Sequence, residues 1–166
     1  MEFRKYKEED AKEILSWIKN EKEFRLWSAF RYNDYPIKPE DMNNNYKKSS
    51  NEAPFFPMVL TENDKVIGHI VIRNPEEDKQ IIRFGFIIVN SEIRRKGYGK
   101  KLLTEAIKYA KNEFNAKEIN LGVITTNISA IECYKSLGFE ITSTTKDFMK
   151  FHDETWDCYE MKLKDM

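Results

Sequence analysis

The feature that most constrains this chain is residues 81–99, IIRFGFIIVNSEIRRKGYG. Ile81, Ile82, Phe84, Phe86, Ile87, Ile88 and Val89 form an apolar run interrupted only by Arg83, and read as a strand covered on both faces. The run ends in Arg94, Arg95, Lys96, Gly97, Tyr98 and Gly99. Leu102, Leu103, Ala106, Ile107, Ala110 and Phe114 then recur at helical spacing. A strand, a glycine turn and a helix in direct succession can hold an anion. The helix start leaves backbone N–H groups unpaired, the macrodipole adds partial positive charge, and glycine lets the backbone approach closely. Lys100 and Lys101 add charge at the same end. A basic connection with two turn glycines and no ligand is the alternative. Two phosphate motifs are excluded: a dinucleotide fingerprint needs a third glycine where Leu102 stands, and no Gly-Lys-Ser/Thr follows the turn.

At 166 residues the chain is long enough for one domain with a substantial core, and it is expected to be one. Its 28 basic and 28 acidic residues cancel, which gives no electrostatic reason to expect nucleic acid or a membrane surface as partner. No apolar run is long enough to span a bilayer, and the charged start MEFRK does not read as a signal peptide. Cys133 and Cys158 lack metal or redox spacing and are expected as free thiols of a cytoplasmic protein.

In chain order, residues 2–7 alternate as a short strand, and Ala11, Ile14, Leu15 and Ile18 mark an amphipathic helix with Trp17 beside the stripe. Residues 21–50 read as irregular and ring-rich, with a second helix starting at Pro39 and ending near Asn43, Asn44 and Asn45. Residues 57–61 and 66–73 read as strands joined by an Asn63-Asp64 hairpin turn, and residues 74–79 as a charged turn. Ile119, Leu121 and Val123 give a fifth strand; Asn127 opens a helix that Gly138 closes. Residues 139–144 and 155–163 are the last strands, around a polar loop over 146–154. The order implies an α/β layered sheet, antiparallel at first and parallel around the glycine turn.

Arg94, Gly97 and Gly99 stand as R-x-x-G-x-G, which resembles the pyrophosphate loop of the GNAT acetyltransferase superfamily. Residues 127–139, NISAIECYKSLGF, resemble the element of that family in which an asparagine, an alanine and a tyrosine share a helix before Gly-Phe. The resemblance covers nearly the whole chain and is strongest over residues 84–139. It implies a GNAT-type mixed sheet of seven strands flanked by about four helices, in a single domain over residues 1–166. It implies transfer of an acetyl group from acetyl-CoA to a primary amine of a small molecule, amino acid or peptide, in a ternary complex, with no metal, by a monomer or homodimer. The backbone of Ile87, Ile88 and Val89 would pair with the pantetheine arm. Arg94 and the N–H groups of Arg95, Lys96, Gly97, Tyr98, Gly99 and Lys100 would hold the pyrophosphate. Asn127 would hydrogen-bond the pantetheine, and Tyr134 would protonate the leaving thiolate.

Each residue has an alternative: Tyr134 as a core aromatic, Asn127 as a helix cap, Arg94 and Arg95 as solvated charge. His69 reads as a structural histidine, and His152 sits in the late polar loop. Some family members carry a glutamate as general base five residues before the asparagine; here that position is Gly122. The base is left open among an acid of the N-terminal third, Asp157 and water. The acceptor pocket is expected from Trp27, Tyr32, Tyr35 and Trp156, whose rings would make an apolar cleft. The other readings are an acyl-CoA-binding sensor on the same fold and an unrelated phosphate-ligand protein sharing only the turn.

Overall fold

The computed structural model describes residues 1–76, 78 and 80–166. Among these residues, seven strands form one sheet in the order β1-β2-β3-β4-β5-β7-β6. They are β1 (Glu2–Lys5), β2 (Phe55–Glu62), β3 (Lys65–Glu76), β4 (Ile81–Val89), β5 (Glu118–Ile124), β6 (Phe139–Phe151) and β7 (Glu154–Leu163). β4 and β5 pair in parallel, and the other neighbour pairs among the described strands are antiparallel. That parallel step is made by α4 (Tyr98–Phe114), whose apolar stripe crosses back over the sheet.

Among the described residues, five α-helices flank the sheet where about four helices were expected. On one face, α4 and α5 (Ile128–Ser136) cover a core built on Ile70, Ile72, Ile82, Phe84, Leu102 and Leu121. On the other, α1 (Asp10–Ser16), α2 (Glu21–Ser28) and α3 (Pro39–Glu52) cover Val59, Val71, Phe86 and Ile88 with a ring-rich layer. The added helix is α2, in a stretch that read as irregular. Asn20 caps it by accepting the Glu23 N–H at 2.9 Å, and the Glu23 carboxylate accepts the Lys19 N–H at 2.8 Å. Helix α3 runs on to Glu52 instead of ending at its asparagines. The side chains of Asn43 and Asn45 are engaged by the hydroxyls of Tyr6 (2.6 Å) and Tyr32 (3.4 Å), so they do not compete for the helix backbone.

The hairpin turn is as expected, with Asn63 and Asp64 both at positive φ. Glu77 and Lys79 of the expected charged turn lie outside the described residues. The expected polar loop over 146–154 is instead mostly strand: β6 reaches Phe151 and pairs with β7 down to Phe151↔Glu154. β6 is an edge strand exposed on both faces over much of its length, so it carries no alternating pattern. Among the described residues, no helix is long and apolar enough to cross a membrane.

One irregularity organises the centre. Phe86 has φ +50°, and the β3–β4 register slips between His69↔Ile88 and Val71↔Gly85. This bulge turns the strand over. Before it Ile82 and Phe84 face α4; after it Ile87 and Val89 take that face while Phe86 and Ile88 enter the ring-rich core. The apolar run is therefore covered on both faces, as its composition predicts.

Candidate active site

β4 and β5 share a ladder only from Ile81↔Glu118 to Phe84↔Leu121. Past that point β4 keeps β3 as its neighbour, and β5 keeps β7 through Gly122↔Glu160, Val123↔Tyr159 and Ile124↔Cys158. The two parallel strands part where the bulge begins. Their facing edges then carry backbone donors and acceptors without a ladder partner, which an extended polar chain can bond. The gap is the mouth of a cleft of about 910 Å³ that reaches from the α4 start to the ring-rich face.

At the α4 end the walls are the glycine turn. Asn90 steadies its approach by accepting the Glu92 N–H at 3.0 Å. Arg95 and Gly97 lie at φ +67° and +82°, and Gly97 is the N-cap of α4. The first turn of α4 contains no acid, so its free N–H groups and dipole are uncompensated among the described residues. The Tyr98 hydroxyl donates to Glu62 at 2.7 Å, tying the turn to the β2–β3 hairpin, and the Lys101 ammonium lies 5.4 Å from the Tyr98 ring centre. Arg94, Arg95, Gly97, Tyr98, Gly99 and Lys100 all line the cleft, as do Ile87, Ile88 and Val89; Lys96 is not among the lining residues.

Across the gap, Asn127 is the N-cap of α5, yet its side chain makes no capping hydrogen bond. No hydrogen bond engages its side-chain amide among the described residues, and Asn127 lines the cleft. Tyr134, on the same helix, also lines the cleft; it is 6% exposed and its ring meets Phe139 edge-on at 6.1 Å. No hydrogen bond engages its hydroxyl among the described residues, and burial pushes the phenol well above its ordinary value.

Of the four expected acceptor residues, only Trp27 lines the cleft. Tyr32 and Tyr35 pack on Phe24 at 5.8 and 5.2 Å, because α2 and α3 must fill the space over the sheet with rings. Trp156 is 2% exposed and stacks on Phe151 at 5.0 Å, behind Ile124 and Cys158, which do line the cleft. Phe148 from the late hairpin also lines it.

The histidines stand apart. His69 is fully buried: Nδ1–H donates to the Met58 carbonyl at 2.8 Å and Nε2 accepts from the Tyr46 hydroxyl at 2.7 Å. Burial pushes its pKa down to about 4, so it is a neutral structural histidine. His152 lies in the β6–β7 turn, 3.6 Å from Glu21. Asp157 is occupied with the Asp147 N–H at 2.9 Å.

At Gly122 the absence of a glutamate has a steric counterpart. An ideal Cβ there would stand 2.9 Å from the Arg83 guanidinium and 3.4 Å from the Glu160 carboxylate. Arg83 crosses from β4 to β7 with paired bonds to Glu160 at 2.7 and 2.9 Å, and a further bond to Asn120 at 2.9 Å. Arg31, Arg73 and Arg83 line the cleft and were not expected as site residues. The available signal was a basic residue within each of two apolar strand runs, at Arg73 and Arg83.

Comparisons with known proteins give the arrangement its context. The spermidine N-acetyltransferase of Vibrio cholerae, solved with CoA and spermine, superposes with a TM-score of 0.82 at 18% identity, covering 98% of this chain and 94% of that one. A ribosomal-protein-alanine N-acetyltransferase of Brucella melitensis superposes at 0.76 with 20% identity, covering 98% of both chains. In sequence, an N-alpha-acetyltransferase of Saccharolobus solfataricus is 33% identical over 103 residues, 57% of this chain and 60% of that protein. An L-amino acid N-acetyltransferase of Escherichia coli is 33% identical over 98 residues, 58% of this chain and 60% of that protein. The chain thus spans about 60% of the length of these sequence relatives. The model of the acetyltransferase (GNAT) family matches residues 13–139, well over half of the chain, and the chain belongs to that family.

Proposed function

We propose that the protein is an N-acetyltransferase that moves an acetyl group from acetyl-CoA to a primary amine in a ternary complex. The observation that carries this is the parted β4–β5 pair, with an uncompensated helix N-terminus at one end of the gap and a buried, unengaged tyrosine hydroxyl on its wall. The pantetheine arm would lie along the free edge of residues 87–89, with Asn127 bonding it from α5. The pyrophosphate would sit on the N–H groups of residues 95–100, beside Arg94.

The neutral amine nitrogen attacks the thioester carbonyl carbon and the C–S bond breaks. The sulfur takes the electron pair and receives the Tyr134 proton; the amine gives a proton to water. The phenol is protonated at neutral pH and so able to donate; burial, which raises its pKa, keeps it from acting as a base. Arg83 and Glu160 fill the space over Gly122, so the base used by some relatives has no counterpart at that position. Acceptors named for the relatives include amino acids and spermidine.

Thiol release from acetyl-CoA across amines, amino acids, short peptides and polyamines tests the proposal. Release that depends on one amine class supports it. Tight CoA binding with no release for any amine contradicts it and favours a non-catalytic acyl-CoA sensor.

A further inference from the structure

The far end of the cleft, on the ring-rich face of the sheet, gathers three arginines, two of which have no carboxylate partner among the described residues. Arg73 and Arg83 are directly paired across β3 and β4, so their side chains leave the same face about 5 Å apart at Cβ. Arg31, from the segment after α2, places its guanidinium 5.3 Å from the Phe86 ring centre and lines the same chamber. Like charges set side by side are unfavourable unless something answers them.

Only Arg83 is answered, by Glu160 and Asn120. Among the described residues, Arg31 and Arg73 have no carboxylate partner. Arg73 Nε is buried without any hydrogen-bond partner, and so is the indole N–H of Trp27, which lines the chamber too. Glu23, also on the lining, already accepts the Lys19 N–H. Burial pushes the Arg73 pKa down to about 10, with Arg31 and Arg83 adding to the shift; burial and then Arg83 lower that of Arg31. Arg31 is exposed and lines the cleft.

A chamber that offers several donors and a surplus of positive charge requires a ligand group that accepts hydrogen bonds and is negative. We propose, resting on the acetyltransferase reading above, that the acceptor amine carries a carboxylate held by Arg31 and Arg73, so that the substrates are amino acids or other carboxylate-bearing primary amines. Guanidinium forks match a planar carboxylate in two parallel bonds. A polyamine would bring cations into a cationic chamber. The residual positive charge also disfavours the ammonium form of the bound acceptor, which helps supply the neutral nucleophile where no carboxylate base stands over Gly122.

The test compares amino acids, their carboxamides, an aminoalkyl phosphonate and spermidine as acceptors for wild type, Arg73→Gln and Arg31→Gln. Wild type is expected to favour carboxylate over carboxamide in kcat/KM at least tenfold. Arg73→Gln should collapse that ratio toward one while leaving the KM for acetyl-CoA unchanged. Because an unanswered charge is removed, its melting temperature should not fall. Carboxamides or spermidine used as well as amino acids would overturn the proposal. So would a ratio that survives both substitutions, or a tenfold preference for the phosphonate. If no amine is acetylated, the catalytic reading fails separately, and calorimetry of an N-acetyl amino acid with the CoA-bound protein decides the anion site. Binding lost in Arg73→Gln supports the site; no binding to wild type overturns it.

Discussion

Tyr134→Phe removes one oxygen from a ring that stays where it is. Tyr134 is 6% exposed, its packing is carried by the ring against Phe139 and the α4-face core, and no hydrogen bond holds its hydroxyl among the described residues. Losing the hydroxyl leaves no buried partner orphaned, so stability should change by less than about 1 kcal/mol. Catalysis should change far more. A positioned general acid contributes roughly 10²–10⁴-fold, which corresponds to about 2.7–5.5 kcal/mol of barrier. The assay is thiol release at saturating acetyl-CoA, with CoA affinity measured by calorimetry and folding by thermal melts. The expected result is a kcat reduced at least a hundredfold at unchanged CoA affinity. Burial raises the Tyr134 pKa, so the wild-type pH profile should rise as the acceptor amine deprotonates. It should show no descending limb below about 10, the ordinary phenol value. A kcat within threefold of wild type would refute the acid role.

Two further expectations concern the frame. His69 is fully buried with a pKa pushed down to about 4. Below about 6.5 the unfolded chain takes up a proton that the folded one refuses, so stability falls as pH drops from about 6.5 toward 4, by roughly 3 kcal/mol in all. Urea unfolding at both ends of that window measures the loss, and His69→Gln should remove most of the slope; an unchanged slope would place the titration elsewhere. Gly97→Ala puts a side chain at φ +82° on the N-cap of α4, where an added Cβ meets no atom within 4 Å. The backbone strain should cost about 1–2 kcal/mol in unfolding. CoA affinity should fall at least tenfold; unchanged affinity would move the pyrophosphate away from this turn.

The parts of the fold legible in the sequence were those whose chemistry is local. The apolar run, the glycine turn and the α4 stripe each announce themselves, and Gly138 closes α5 at φ +99° as a helix-ending glycine should. Helix α2 was hidden because its signal is polar: the Asn20 and Glu23 cap competes for attention with rings that serve tertiary packing. Strand β6 was hidden because it is held by β7's backbone on an exposed edge, where no periodicity is required. The bulge at Phe86 has no composition of its own, and it decides which side chains face which core.

The site divides in the same way. The turn and the α5 motif carry backbone and side-chain chemistry over short spans, and their residues line one cleft, apart from Lys96. The acceptor end is assembled from α2, the segment after it, β3, β4 and β7, which meet only in three dimensions. Aromatic content pointed to Tyr32, Tyr35 and Trp156, yet these rings are needed as core. The arginines that took their place were visible as charges in apolar strands, but nothing in the sequence said that Arg73 and Arg83 would be cross-strand neighbours.

We place the donor in the gap between β4 and β5. Amide hydrogen exchange followed by NMR, with and without acetyl-CoA, tests it most directly. Protection should appear together at Ile87 and Val89, whose N–H groups point away from β3 into the gap, and in the first turn of α4, because those groups acquire partners they lack in the free protein; Ile88, bonded into the β3 ladder, should change little. Binding of acetyl-CoA that leaves both segments exchanging as before, with protection gained elsewhere, would contradict it.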